Sequence, residues 1–89
     1  EISDVQAYAG SNSAHVESGN DCVLLFGDST AGRYKVSFYI FVPSGKLGYY
    51  NLLTKFAGAS SEWGTQVFFD DGGNGSIDAG VQGAATFDF

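Results

Sequence analysis

The 89-residue chain predicts an all-β fold, an antiparallel β-sandwich of jelly-roll-like kind, and three observations carry that expectation. Apolar and polar residues alternate with a period of two through the middle and end of the chain, as they do in strands that bury one face. Clusters of Gly, Ser, Asn and Asp punctuate these runs at about 8–12-residue intervals, the spacing of short strands in sandwiches and barrels. Aromatic residues make up 16 % of the chain beside 13 Gly and a single Pro, a mixture suited to many short strands and tight turns. A chain of this length holds one domain, residues 1–89, and buries roughly 60 % of its unfolded surface.

Taken in order, residues 4–9, 14–17 and 21–26 are short β-like runs separated by Gly10-Ser11-Asn12-Ser13 and Ser18-Gly19-Asn20, both turn-forming. Cys22 stands alone, so it can form neither an internal disulfide nor a thiolate cluster, and its apolar run predicts a buried, inert thiol. Residues 34–42 are the clearest strand. Tyr34, Val36, Phe38, Ile40 and Val42 fall on one face, and Lys35, Ser37, Tyr39 and Phe41 on the other. Tyr39 and Phe41 then belong either to a second core layer or to a binding surface. Pro43-Ser44-Gly45-Lys46 closes the strand with a turn.

Residues 47–58 admit two readings. Tyr49, Leu52, Leu53 and Phe56 fit helical spacing with Gly58 as a cap, but the Tyr49-Tyr50 pair and its alternating neighbours favour a strand. Trp63, Thr65, Val67 and Phe69 alternate against Gly64, Gln66, Phe68 and Asp70 as a further strand, which runs into a turn-rich loop. Residues 84–89 begin a last alternating run that the chain end cuts. We therefore expect the N-terminal part of a larger sandwich, or a chain that pairs its edges with another copy or with the rest of a parent protein.

A formal charge of -6 opposes binding to nucleic-acid phosphates and anionic lipid headgroups. No stretch approaches the ~18 consecutive apolar residues of a membrane-spanning helix. The chain opens at Glu1 without a basic or apolar leader, so any export signal is expected to have been removed or to lie outside this sequence.

The residues do not assemble a catalytic pattern. His15 is the one histidine, and it sits on an expected strand without a nucleophile motif around it. A Gly-x-Ser-x-Gly elbow is absent, Gly45-Lys46 lacks the rest of a phosphate loop, and no Glu-x-Asp-x-Glu strand supplies paired glycosidase carboxylates. Glu62 beside Trp63 is an isolated acid. The expectation is therefore a protein that is not an enzyme.

Two constellations point to binding. Asp70, Gly72, Asn74, Gly75, Ser76, Ile77 and Asp78 fall on positions 1, 3, 5, 6, 7, 8 and 9 of a calcium loop, although Val81 stands where the bidentate Glu belongs. This segment is a Gly-rich hairpin, a weak Ca2+ site using Asp70, Asp71, Asn74 and Asp78, or a ligand-contact loop. Asn74-Gly75-Ser76 is also a glycosylation sequon. Separately, Tyr39, Tyr49, Tyr50 and Trp63 can stack on sugar rings, with Asn51, Gln66 and Glu62 as hydrogen-bonding neighbours. The same aromatics serve equally well as core or interface.

The block Gly-Arg-Tyr-Lys-Val-Ser-Phe-Tyr-Ile-Phe-Val-Pro-Ser-Gly-Lys-Leu-Gly-Tyr-Tyr-Asn, followed by Phe-Ala-Gly-Ala-Ser-Ser-Glu-Trp-Gly-Thr-Gln-Val-Phe-Phe, resembles a β-sandwich module of secreted and cell-surface Bacteroidetes proteins. Many of those proteins end in a C-terminal sorting domain for type IX secretion. Ala-Tyr-Ala-Gly-Ser-Asn-Ser-Ala-His-Val near the start is similar to the first strand of carbohydrate-binding jelly rolls, and the likeness spans residues 7–80. It implies an extracellular accessory module, carbohydrate-binding or adhesive, that acts beside catalytic or adhesive domains. Such modules usually continue beyond a strand like residues 85–89 into a further half-sandwich, and the resemblance transfers no functional residue. The alternative is a structural or assembly module whose aromatics are buried against a missing half or another chain.

Overall fold

In the computed structural model, which describes residues 1–80 and 84–89, all regular structure apart from one short 3-10 turn is antiparallel β. The chain divides into two compact units, Glu1–Phe41 and Val42–Phe89.

The first unit holds a small hairpin of β1 (Ile2–Ser3) and β2 (Ser13–Ala14), with Ile2 opposite Ala14 and Ser3 opposite Ser13. Its open end is closed by a reciprocal pair. The Glu1 ammonium donates to the His15 carbonyl at 2.8 Å, and the His15 N–H donates back to the Glu1 carbonyl at 2.7 Å. The turn predicted at Ser18-Gly19-Asn20 forms. Glu17 N–H donates to Asn20 Oδ1 at 3.0 Å, and Gly19 takes a φ of 87° that a side chain would resist.

The strands expected at residues 4–9, 21–26 and 34–42 are not formed, and of the run 14–17 only Ala14 lies in a strand. Period-two alternation describes how a strand would divide its side chains between two faces. It does not supply the neighbouring ladder that a strand needs. Residues 21–40 are exposed throughout, and Cys22, expected to be buried, is exposed as well.

The second unit is a four-stranded meander: β3 (Gly48–Lys55), β4 (Glu62–Phe69), β5 (Asn74–Asp78) and β6 (Ala84–Asp88), in spatial order β3-β4-β5-β6. The turn before it is the predicted one, with Lys46 N–H donating to the Pro43 carbonyl at 3.0 Å and Gly45 at a φ of 73°. The segment with two readings is a strand, and it ends at Lys55 before a 3-10 turn at Gly58–Ser60. Strand β5 is a correction to the loop reading: the hairpin turn is confined to residues 70–73, and Asn74–Asp78 is extended.

Alternation divides these strands between two faces up to the register shifts after Leu52. Register aligns Gly48, Phe69, Gly75 and Phe87 across the sheet, and beside them Tyr50, Val67, Ile77 and Ala85. These rows form the apolar face, where Val67 is 3 % and Phe69 9 % exposed. Phe69 receives two rings edge-on, Phe87 at 5.6 Å and Phe89 at 5.0 Å between centroids. Each such pair is worth about 0.5–1.5 kcal/mol beyond the area it buries. The two glycines make this packing possible. A Cβ at Gly75 would lie 2.2 Å from Phe87 Cζ, and one at Gly48 would lie 2.7 Å from Val42 Cγ2. Bare backbone at these positions is the floor on which Phe87 and Val42 rest.

Candidate functional site

The opposite face of the same sheet carries Tyr49 and Asn51 from β3, Gln66 and Phe68 from β4, Ser76 and Asp78 from β5, and Thr86 from β6. Two rows cross it. Tyr49, Phe68, Ser76 and Thr86 are opposite one another in register, as are Asn51, Gln66, Asp78 and Ala84. Neighbours within a row stand about 4.8 Å apart, and the rows about 7 Å apart.

The first row begins with two aromatic rings, Tyr49 and Phe68, at 4.9 Å between centroids and tilted by 42°. They are 43 % and 42 % exposed, so each packs on one side and meets solvent on the other. The Tyr49 hydroxyl donates to Gln66 Oε1 at 3.0 Å, which ties the aromatic row to the amide row and fixes the Gln66 side chain. That bond leaves the Gln66 amide nitrogen as a donor and the Tyr49 oxygen as an acceptor. Asp78 Oδ1 accepts from Gly80 N–H at 2.9 Å, which holds its carboxylate at the end of β5.

Of the residues singled out from the sequence for ligand contact, the fold brings Tyr49, Asn51 and Gln66 together. Tyr50, the next residue, lies on the apolar face with its ring 6.2 Å from Phe69. Trp63 is exposed and pairs with Leu53 beyond a register shift, and Glu62 pairs with Lys55 at the end of the β3–β4 ladder. Tyr39 belongs to the first unit, where its ring stacks on Tyr8 at 3.4 Å with an 11° interplanar angle. A side-chain hydrogen bond with Tyr39 raises the Tyr8 pKa above the ordinary tyrosine value, and desolvation adds to the shift. One face of the Tyr39 ring is thereby occupied.

The calcium-loop residues separate. Asp70, Asp71 and Asn74 lie around the β4–β5 turn, where Asp70 Oδ1 accepts from Gly72 N–H at 2.9 Å and from Asn74 N–H at 3.0 Å. Asp78 is at the other end of extended β5, about 13 Å from Asn74 at strand rise. Among the described residues, no three His, Cys, Asp or Glu side chains are grouped to hold a metal ion. Val81 lies outside the described residues. His15, in the first unit, has Glu1 Oε1 at 4.0 Å and Glu17 Oε1 at 3.8 Å as its acidic neighbours.

Phe68 is the aromatic member of the face that the sequence pattern did not single out. Its signal is present there, because Phe68 alternates in phase with Gln66 and so has to share its face. No protein family, curated protein or solved structure matches the chain. Among the described residues no helix is long and apolar enough to cross a membrane.

Proposed function

We propose that this chain is a non-catalytic extracellular accessory module that binds glycan, and thereby mediates adhesion, through the polar face of its four-stranded sheet. The observation that carries the reading is the exposed Tyr49–Phe68 ring pair beside the in-register amides of Asn51 and Gln66. Half-exposed rings offer an apolar platform for the C–H face of a sugar, and adjacent amides supply donors and acceptors for its hydroxyls. On this reading the sheet is one layer of a jelly-roll-like β-sandwich, and the resemblance to surface modules of type IX-secreted Bacteroidetes proteins gives its setting. The test is a glycan array run with and without calcium, followed by titration of the best binder. Saturable binding that Tyr49→Ala abolishes supports the proposal, whereas binding unchanged by Tyr49→Ala and Phe68→Ala refutes this face as the site.

A second reading, an assembly module that pairs with another chain or with the rest of a parent protein, is favoured by the apolar face. Leu52, Ile77 and Phe89 remain exposed there around the buried Phe69. Light scattering separates the two readings: a stable oligomer without glycan binding favours assembly, and a glycan-binding monomer favours recognition.

A further inference from the structure

The polar face carries information about which glycan it accepts, and this deepening rests on the glycan reading above. Carboxylates bracket the aromatic row on both sides. Asp78 stands in the adjacent amide row, and Asp88, opposite Asn74, stands one strand step beyond Thr86 on the other side. Neither row contains a lysine or arginine. The second unit carries two cations, Lys46 and Lys55. Lys46 is in the turn before the sheet, three residues ahead of Tyr49 and outside both rows, and Lys55 is opposite Glu62 at the far end of β3, about 13 Å from Asn51 at strand rise.

We propose that this face selects uncharged pyranoses and rejects uronates and sulfated sugars. A neutral ring stacked on Tyr49 and Phe68 directs its hydroxyls toward the second row, where each group has a use. Asn51 and Gln66 provide amide donors, and Asp78 keeps lone pairs beyond the one held by Gly80 N–H to accept from sugar hydroxyls. A carboxylate or sulfate on the same ring would be placed beside the Asp78 carboxylate, with no lysine or arginine in either row to offset it. Like-charge placement of this kind acts as selectivity against the acidic analogue.

The test is titration calorimetry on the whole chain with three probes: a neutral glucan oligosaccharide, an oligogalacturonate of the same length, and a sulfated glucan. The expected result is saturable binding of the neutral probe, with the two acidic probes about tenfold or more weaker at low ionic strength and the gap narrowing as salt is raised. Asp78→Asn combined with Asp88→Asn should narrow the gap at low salt as well. The amide introduced by Asp78→Asn retains an oxygen for the Gly80 N–H, and circular dichroism checks that the variant keeps its fold. Equal binding of neutral and acidic probes through Tyr49 overturns the selectivity and leaves the glycan reading intact. Absence of binding by all three overturns both.

Discussion

Replacing Gly75 with alanine tests the packing of the second unit at its tightest point. An added methyl would stand 2.2, 2.6 and 2.7 Å from Phe87 Cζ, Cε2 and Cε1, closer than any real contact. The ring must move, and in moving it gives up its edge-on contact with Phe69, now at 5.6 Å. Overpacking of this type costs about 1–3 kcal/mol. Alanine regains about 0.5–1 kcal/mol over glycine in a strand through the smaller entropy of its unfolded state. The balance is a loss of up to about 2.5 kcal/mol, and each kcal/mol lowers Tm by about 4–8 °C in a domain of this size. The assay is thermal and urea denaturation of four proteins: the parent, Gly75→Ala, Phe87→Ala and the double variant. With the ring removed, the same alanine should stabilise by about 0.5–1 kcal/mol, so the cycle yields a coupling of about 1–3 kcal/mol. If Gly75→Ala stabilises the parent as much as it stabilises Phe87→Ala, the ring does not depend on the bare backbone and the packing argument is wrong.

Two further outcomes follow from single side chains. Asp70→Ala removes the acceptor for both Gly72 N–H and Asn74 N–H and should cost about 1–2 kcal/mol, with faster amide exchange at Asn74, while Asp70→Asn keeps an oxygen and should lose less than half of that. Tyr8, its pKa raised by Tyr39, stays neutral to a higher pH than it would in the unfolded chain. That contribution is present below the unfolded tyrosine pKa and is lost as pH rises through the folded value. An ultraviolet tyrosinate titration should therefore show one late-titrating tyrosine that Tyr39→Phe restores to the others; a titration identical in both proteins removes the interaction.

The parts of the fold that could be read from sequence are those where alternation and turn chemistry coincide. Strand β4 alternates from Trp63 to Asp70 and ends at Asp70-Asp71-Gly72-Gly73, whose hydrogen bonds make the turn. Strand β3 was legible for the same reason, since Tyr49 and Tyr50 serve different faces and a helix would have wasted one of them. Strand β5 was hidden because Asn74, Gly75 and Ser76 are turn residues by composition. Gly75 is in fact there to admit the Phe87 ring, a demand made by a residue twelve positions later that no local pattern contains. Residues 34–42 fail in the opposite sense: the alternation is the best in the chain, yet no strand forms, because a pattern states a preference for faces and pairing requires a partner. For the candidate site, residue types were legible and their grouping was not. Naming Tyr49 and Tyr50 together put two opposite faces into one site.

That adjacency also gives the cleanest separation of the two roles assigned to the sheet. Tyr49 and Tyr50 share backbone, strand and residue type, and they differ in which side of the sheet they occupy. Tyr49 lies with Phe68 and Gln66 on the polar face, and Tyr50 with Phe69 on the apolar one. Truncating Tyr50 takes a half-buried ring from the Phe69 cluster and should cost about 1–3 kcal/mol of stability. Truncating Tyr49 removes a half-exposed ring, its contact with Phe68 and one exposed hydrogen bond, so stability should fall by about 1–2 kcal/mol while the proposed glycan affinity should be lost. Paired measurements of urea midpoint and glycan affinity should therefore show some loss of stability in both Tyr49→Ala and Tyr50→Ala, but loss of binding in Tyr49→Ala alone. If both variants lose stability equally and neither changes binding, the two faces are equivalent packing surfaces, and recognition must be sought elsewhere in the chain.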